Sequence, residues 1–297
     1  VPDWPKLWNP SNGYANCADM DTFLLDTLLR NFLAEDLDHG DITTEAIFSP
    51  EDRAQARFVA RQPMTVAGME NVAARVFRLL DPAVACTGAV PDGSRVDKDE
   101  TLLLISGTTH TLLRGERVAL NLVQRLCGIA TLTSAFVDAV RHTKAKIVDT
   151  RKTTPGLRLL EKYAVRAGGG CNHRFNLSDG VLIKDNHIAA CGSITEAVRR
   201  VRGRVPHTIH VEIEAETLAQ VEECLACNVG VIMLDNMDLV TMRRAVELIN
   251  GRAIVEASGG VNLETVRAIA ETGMDIISVG ALTHSARACD IGMDWCQ

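Results

Sequence analysis

Three permanent cations, Arg151, Lys152 and Arg158, fall within the stretch DTRKTTPGLR (149–158), directly after the apolar run 145–148. The chain as a whole is acidic, at net −7. An isolated charge run is usually a solvated loop. What decides between that and an anion site is the chemistry at the other strand ends. In order these are Thr150-Arg151-Lys152, Lys184-Asp185-Asn186-His187, Glu212-Ile213-Glu214, Asp235-Asn236, Ala257-Ser258-Gly259-Gly260 and Ser278-Val279-Gly280. Each apolar run finishes on charged, hydroxylated or glycine residues. Together they describe a mouth with cations at the first two ends, carboxylates at the middle two and glycines at the last two.

The glycine ends EASGG and SVGAL offer backbone N–H groups that no side chain obstructs, which suits a phosphate. Tight turns alone would also use glycine there. Glu214 and Asp235 end neighbouring strands, so paired acids face a cationic pocket. Such a pair can meet a divalent metal through a phosphorylated substrate, or accept from sugar hydroxyls. The bland alternative makes Asp235 a helix cap and Glu214 a solvated acid. Glu212 shares the face of Glu214 one layer deeper, as a structural partner of a lysine. Off the strands, AGGGCNHRFNLSDG breaks a helix at 168–170 and projects His173 and Arg174 from a loop. Beside Arg151, Lys152 and Lys184, these two suit a carboxylate. The arginine fork binds it bidentately, whereas lysine supplies a point charge for phosphate.

The elements that must position these groups fall into two regimes. From about residue 20 to 107 a helical stretch, DTFLLDTLLRNFLAED, precedes short β-like runs such as ARFVARQPMTVAG and ETLLLISG, with the turn-rich GAVPDGSRVDKDE between them. A long helix is expected over RGERVALNLVQRLCGIATLTSAFVDAVRHT, apolar at helical spacing. After it, strand and helix alternate. The strands are AKIVDT, GVLIKDN, HTIHVEIE, VGVIMLDN, RAIVEAS and MDIISVG, joined by helices such as GLRLLEKYAVRA and LVTMRRAVELIN. Repeated βα units mean parallel strands and favour a barrel related to the (β/α)8 fold over an open sheet, with a doubly wound sheet still open; in either the site lies at the C-terminal strand ends.

Composition is that of a soluble globular chain, 46% hydrophobic and 23% charged. No apolar run approaches the ~20 residues of a membrane span. The Trp- and Pro-rich start has no signal-peptide pattern and reads as an irregular extension. The acidic balance argues against nonspecific nucleic-acid binding. Of nine cysteines, the closest pair, Cys224 and Cys227, has no second pair or histidine to complete a zinc site. Reduced thiols in a cytoplasmic protein are expected.

With these residues assembled, the chain strongly resembles the quinolinate phosphoribosyltransferase family of NAD biosynthesis. The match is carried by EDLDHGDIT, GERVALNLVQRLCGIAT, DTRKTTPGLRLLEKYAV, GGGCNHRFNLSDGVLIKDNH, VEIE, IMLDN, EASGG and ISVGALTH, in the family's order from residue 35 to 284. The resemblance implies an α/β fold: an N-terminal α/β sandwich domain over 20–128, rejoined by the tail 285–297, and an incomplete, about seven-stranded α/β barrel over 129–284. Residues 1–19 form the extension. It also implies a homodimer or hexamer with shared sites, Arg117 of GERVALN reaching into the neighbour's site. Quinolinate would be held by Arg117, Thr150, Arg151, Lys152, His173, Arg174 and Lys184. Lys152, Lys184, Glu214 and Asp235 would serve the chemistry and face 5-phosphoribosyl-1-pyrophosphate, with Mg²⁺ near Glu214 and Asp235 through substrate and water. Ser258, Gly259, Gly260, Ser278, Val279, Gly280 and His284 would complete the phosphate side. One departure is His210 in IHVEIE, where the family more often has an acid.

The reaction so implied joins the quinolinate ring nitrogen to ribose C1, releases pyrophosphate and loses CO2. It needs no covalent nucleophile, in keeping with the absence of a GxSxG motif. A nicotinate phosphoribosyltransferase would need only one carboxylate clamp, and Arg174 and Arg117 together count against it. A noncatalytic phosphate- or nucleotide-binding barrel is opposed by the Glu214 and Asp235 pair, which is unhelpful for binding anions alone.

Overall fold

The computed structural model describes residues 20–296; the expected extension over 1–19 lies outside them. Contacts divide the chain into two compact units. In the first, helix Thr22–Leu37 starts at Asp21, whose carboxylate accepts from the Phe23 and Leu24 N–H groups, and buries Leu25, Leu29 and Leu33 at four-residue spacing. Strands Arg53–Ala60, Ala85–Thr87, Thr101–Thr108 and Ile291–Trp295 make one antiparallel sheet, with Arg53–Ala60 between Thr101–Thr108 and the C-terminal strand. The tail thus returns to the N-terminal sheet. Met64–Thr65 and Arg95–Val96 form a second small ladder.

The second unit carries six strands, Lys146–Val148, Val181–Ile183, Val211–Ala215, Val231–Asp235, Ile254–Ser258 and Ile276–Ser278. All pairings among them are parallel. Each neighbours the next in sequence, except that Lys146–Val148 pairs with Ile276–Ser278 and leaves Val181–Ile183 at the far edge. Val148 also makes one parallel bridge to Cys171. The sheet thus has six strands against the about seven expected. Continuous burial of Ile232, Met233 and Leu234 is what a strand covered on both faces requires.

The helices between strands start where local chemistry stops the strand. Ser193 accepts from Glu196 N–H to open Ile194–Arg202, which buries Ile194, Ala197 and Val198. Thr217 and Gln220 form a reciprocal cap on Leu218–Ala226. Asp238 accepts from Val240 and Thr241 N–H to open Leu239–Ile249.

Three features depart from the sequence reading. Helix Arg158–Ala167, read as a barrel helix, belongs to the N-terminal unit, as do residues 154–169 generally. The reason is long-range pairing: buried Glu161 accepts from Arg125 and Tyr163 donates to Asp92. Helix Asp185–Cys191 follows the strand end that was read simply as Lys184-Asp185-Asn186-His187. Helix Thr109–Val140 is long and apolar enough by length and composition to cross a bilayer, although no single run signals it; 61% of its most apolar window is buried inside the protein, as a core helix would be.

Candidate active site

Asp149 organises the cationic side of the barrel mouth. It is fully buried at the end of Lys146–Val148 and accepts from the backbone N–H of His173 at 2.9 Å and from Asn172 Nδ2. A carboxylate thereby ties the loop carrying His173 and Arg174 to the strand carrying Arg151 and Lys152. Thr150 Oγ1 accepts the Lys152 N–H at 3.0 Å and shapes the turn between them. Arg174 donates to the Gly180 carbonyl at 2.9 Å. Burial, with the adjacent Arg151 charge, lowers the Arg174 guanidinium from its ordinary range. Arg151 Nε is buried without a hydrogen-bond partner. Arg151 and Arg174 thus act on each other as like charges, while the Glu212, Glu214 and Asp179 carboxylates partly offset that effect on Arg174.

The acidic side is built by Val211–Ala215 and Val231–Asp235, which pair in register so that Glu214 faces Met233, two residues before Asp235. Strand alternation therefore turns Glu214 and Asp235 to one face. Glu214 is ion-paired to Lys184. Asp235 accepts from Asn236 Nδ2 at 2.8 Å. The helix that follows is capped by Asp238, so the bland reading of Asp235 as a cap does not hold.

The late strands form a corner of backbone and cations. Gly259 and Gly260 both take left-handed φ, +90° and +61°. A Cβ at Gly260 would meet nothing, whereas one at Gly259 would collide with the Asn236 side chain. The first glycine is thus demanded by its neighbour as well as by its φ, and only the second is open. At Gly280 a Cβ would stand 3.1 Å from Lys152 Cδ and 3.2 Å from His284 Nε2, so these two side chains lie over the glycine. Thr283 Oγ1 accordingly donates to the Lys152 carbonyl at 2.8 Å. Two expected contributors are occupied within the protein. The Val279 N–H donates to the Val148 carbonyl at 2.9 Å, and the buried Ser278 hydroxyl donates to the Ala257 carbonyl at 3.3 Å.

Beneath the mouth lies a buried group that sequence reading resolved only in part. His173 Nε2 stands 3.2 Å from Glu212 Oε2 and 3.6 Å from Glu256 Oε1. The lysine partner expected for Glu212 is therefore a histidine. Burial, then the Glu212 charge, pushes the Glu256 carboxyl well above its ordinary range. Glu256 and Asp149 were missed as site-shaping residues. Both sit inside motifs already singled out, EASGG and DTRK, and the signal available was an acid within or ending an apolar strand.

Arg117 belongs to the other unit, on helix Thr109–Val140. There it borders a cavity of about 260 Å³ together with Phe32, Asn121, Arg125 and Glu161. Glu161 is fully buried, accepting from Arg125 and, at 3.0 Å, from the Thr154 N–H. This pair fixes the segment that follows the cationic strand end.

The strand ends of this parallel barrel thus gather two neighbouring guanidiniums, a lysine–carboxylate pair and a glycine-rich corner, groups whose chemistry suits an anionic, phosphorylated ligand. Comparison with known proteins agrees. Residues 41–127 match the N-terminal domain of quinolinate phosphoribosyl transferase, and residues 129–294 match its C-terminal domain. The chain belongs to this family. It is 46% identical over 275 residues to a nicotinate-nucleotide pyrophosphorylase (carboxylating) of Mycobacterium leprae, covering 90% of this chain and 95% of the relative. It is 41% identical over 291 residues to a tobacco (Nicotiana tabacum) quinolinate phosphoribosyltransferase (decarboxylating), covering 92% and 82%. The structure of NadC from Streptococcus pyogenes superposes with a TM-score of 0.90 at 43% identity, covering 94% of this chain and all of that one.

Proposed function

We infer that this chain transfers the phosphoribosyl group of 5-phosphoribosyl-1-pyrophosphate to quinolinate with decarboxylation, giving nicotinate mononucleotide, CO2 and pyrophosphate in NAD biosynthesis. The observation that carries the reading is the neighbouring pair of like charges Arg151 and Arg174, with Arg151 Nε buried and unpartnered. Two like charges side by side at partly buried positions are eased by an anion with two negative charges. A substrate with two neighbouring carboxylates meets that need better than nicotinate, with one.

In this reading Arg151 and Arg174, with Thr150 at the strand end, hold and orient the quinolinate carboxylates, and His173 shapes the pocket through the loop it shares with Arg174. Fixing the ring nitrogen toward ribose C1 turns a bimolecular encounter into a positioned one. The N–C1 bond forms as the bond from C1 to the pyrophosphate oxygen breaks. C1 becomes positive on the way, and Glu214 and Asp235 present negative charge on that side. Lys152 and Lys184 carry positive charge toward the phosphates, with His284 beside them and Ser258, Gly259, Gly260 and Gly280 leaving backbone room; Ser278 and Val279 shape that corner through the strand bonds described. The alkylated nitrogen is cationic, so it stabilises the electron pair left at C2 when CO2 departs. A proton then replaces it.

The oxygen donors Glu214 and Asp235 fit Mg²⁺, which keeps most of its water and takes few protein ligands. With Lys184 on Glu214, we place the ion on substrate and water beside these carboxylates. When bound it supplies positive charge to the leaving pyrophosphate. We further propose a homodimer, or a hexamer of such dimers, in which Arg117 completes the neighbour's quinolinate pocket, and a cytoplasmic location. Mixed dimers of inactive Arg117→Ala and Lys184→Ala subunits should regain one working site. Verified heterodimers without activity would refute sharing. The activity itself is tested by following nicotinate mononucleotide and pyrophosphate from quinolinate; activity on nicotinate in place of quinolinate would refute it.

A further inference from the structure

Glu212 and Glu256 have no place in the chemistry above, yet the fold buries both of them in the barrel. Both are buried, and each keeps one carboxylate oxygen, Oε1, without a hydrogen-bond partner. Two carboxyls in a low-dielectric interior are destabilising unless something requires them. His173, Glu212 and Glu256 bring three potential ligand atoms within 4.8 Å of one another, the spacing of a metal site.

The histidine argues against a metal. Its Nδ1 lies 2.7 Å from the Arg174 backbone N–H, which can only donate. Nδ1 must therefore be the accepting nitrogen, and the ring proton sits on Nε2. A protonated Nε2 has no lone pair for a cation, but it does require an acceptor. Glu212 Oε2 at 3.2 Å is that acceptor, and Glu256 Oε1 at 3.6 Å backs it.

We propose that Glu212, supported by Glu256, is a positioning residue for substrate binding: it takes the Nε2 proton of His173 and thereby fixes the ring so that Nδ1 accepts from Arg174 N–H. The 173–174 backbone is then held from two sides. Asp149 accepts the His173 N–H, and the His173 ring accepts the Arg174 N–H. The direction in which Arg174 leaves the backbone toward the quinolinate pocket follows from both. The kinetic consequence rests on the quinolinate reading above; the ring geometry does not.

The test has two arms. In kinetics, Glu212→Ala should raise the quinolinate KM about 10-fold, the scale of one lost charge-assisted contact, with kcat and the phosphoribosyl-pyrophosphate KM within about 3-fold. Glu212→Gln, whose amide oxygen still accepts from Nε2, should stay within about 3-fold of the wild type throughout. An unchanged quinolinate KM in folded Glu212→Ala, or a Gln variant as impaired as the Ala variant, overturns the proposal. In the second arm, ¹⁵N-histidine spectra of the substrate-free wild type, with His173→Gln for assignment, should show His173 as the neutral Nε2–H tautomer. The opposite tautomer, or a stoichiometric metal retained by dialysed enzyme and lost in Glu212→Ala, overturns it. This arm needs no turnover, so it separates failure of the positioning role from failure of the quinolinate reading.

Discussion

The ammonium of Lys184 is paired with the carboxylate of Glu214 across the ends of two neighbouring strands. Each of these side chains is assigned a substrate-facing role, so each must be partly released from the other when substrate binds. Their effects are therefore coupled. We expect Lys184→Ala and Glu214→Gln each to lower kcat/KM, and the double variant to fall well short of the product of the two losses. The coupling free energy should be about 0.5–3 kcal/mol. Strictly additive losses in a double-mutant cycle would show that the pair is not shared with the substrate.

Arg151 and Arg174 are close enough for their charges to oppose one another, and each should supply a charge-assisted contact to quinolinate. Arg151→Ala or Arg174→Ala is expected to weaken quinolinate binding by about 1.5–3 kcal/mol, roughly 10- to 150-fold in Kd. Thermal stability should hold or rise, because removing one cation relieves the other. Titration calorimetry with quinolinate checks both; unchanged affinity in both variants would take them out of the pocket.

Asp235→Asn preserves shape and still accepts from Asn236, but it removes negative charge opposite the developing positive C1. Turnover should fall about 10²–10³-fold, with quinolinate affinity nearly intact. Stability should barely change, since Asp238 caps the next helix. Wild-type kcat at saturating substrates and Mg²⁺ would remove Asp235 from the chemistry.

Glu256 gives a pH dependence with a definite sign. Its folded carboxyl is raised above the ordinary 4.5, so the folded state keeps a proton that the unfolded chain releases. The stability this provides is fully present below about pH 4.5 and is lost as pH climbs toward the folded value, at up to about 1.4 kcal/mol per pH unit. Glu256→Gln, an isostere of the neutral acid, has no such loss. Melting temperatures of wild type and variant should therefore diverge in favour of the variant as pH rises above about 4.5. A constant difference across that range would show that Glu256 is not held neutral.

The burial pattern made the barrel legible in sequence, because parallel strands covered on both faces read as apolar runs and their helices as amphipathic stretches. Lys184, Glu214 and Asp235 were legible for the same reason: a strand's last residue is fixed once the run is found. What escaped depends on partners far apart in the chain. Nothing local in DTRK tells that Asp149 accepts from Asn172 and His173, or that Glu161 accepts from Arg125 and so draws Arg158–Ala167 into the N-terminal unit. The glycine of EASGG was assigned to phosphate access, and only the packing of Asn236 against Gly259 supplies its second reason.

The central claim, decarboxylating transfer to quinolinate, is tested most directly by label release. Quinolinate carrying ¹⁴C in its C2 carboxylate, incubated with enzyme, 5-phosphoribosyl-1-pyrophosphate and Mg²⁺, should yield one ¹⁴CO2 for each nicotinate mononucleotide formed, and none without the pyrophosphate substrate. Nucleotide formation from nicotinate at comparable kcat/KM, with no ¹⁴CO2 from labelled quinolinate, would contradict it.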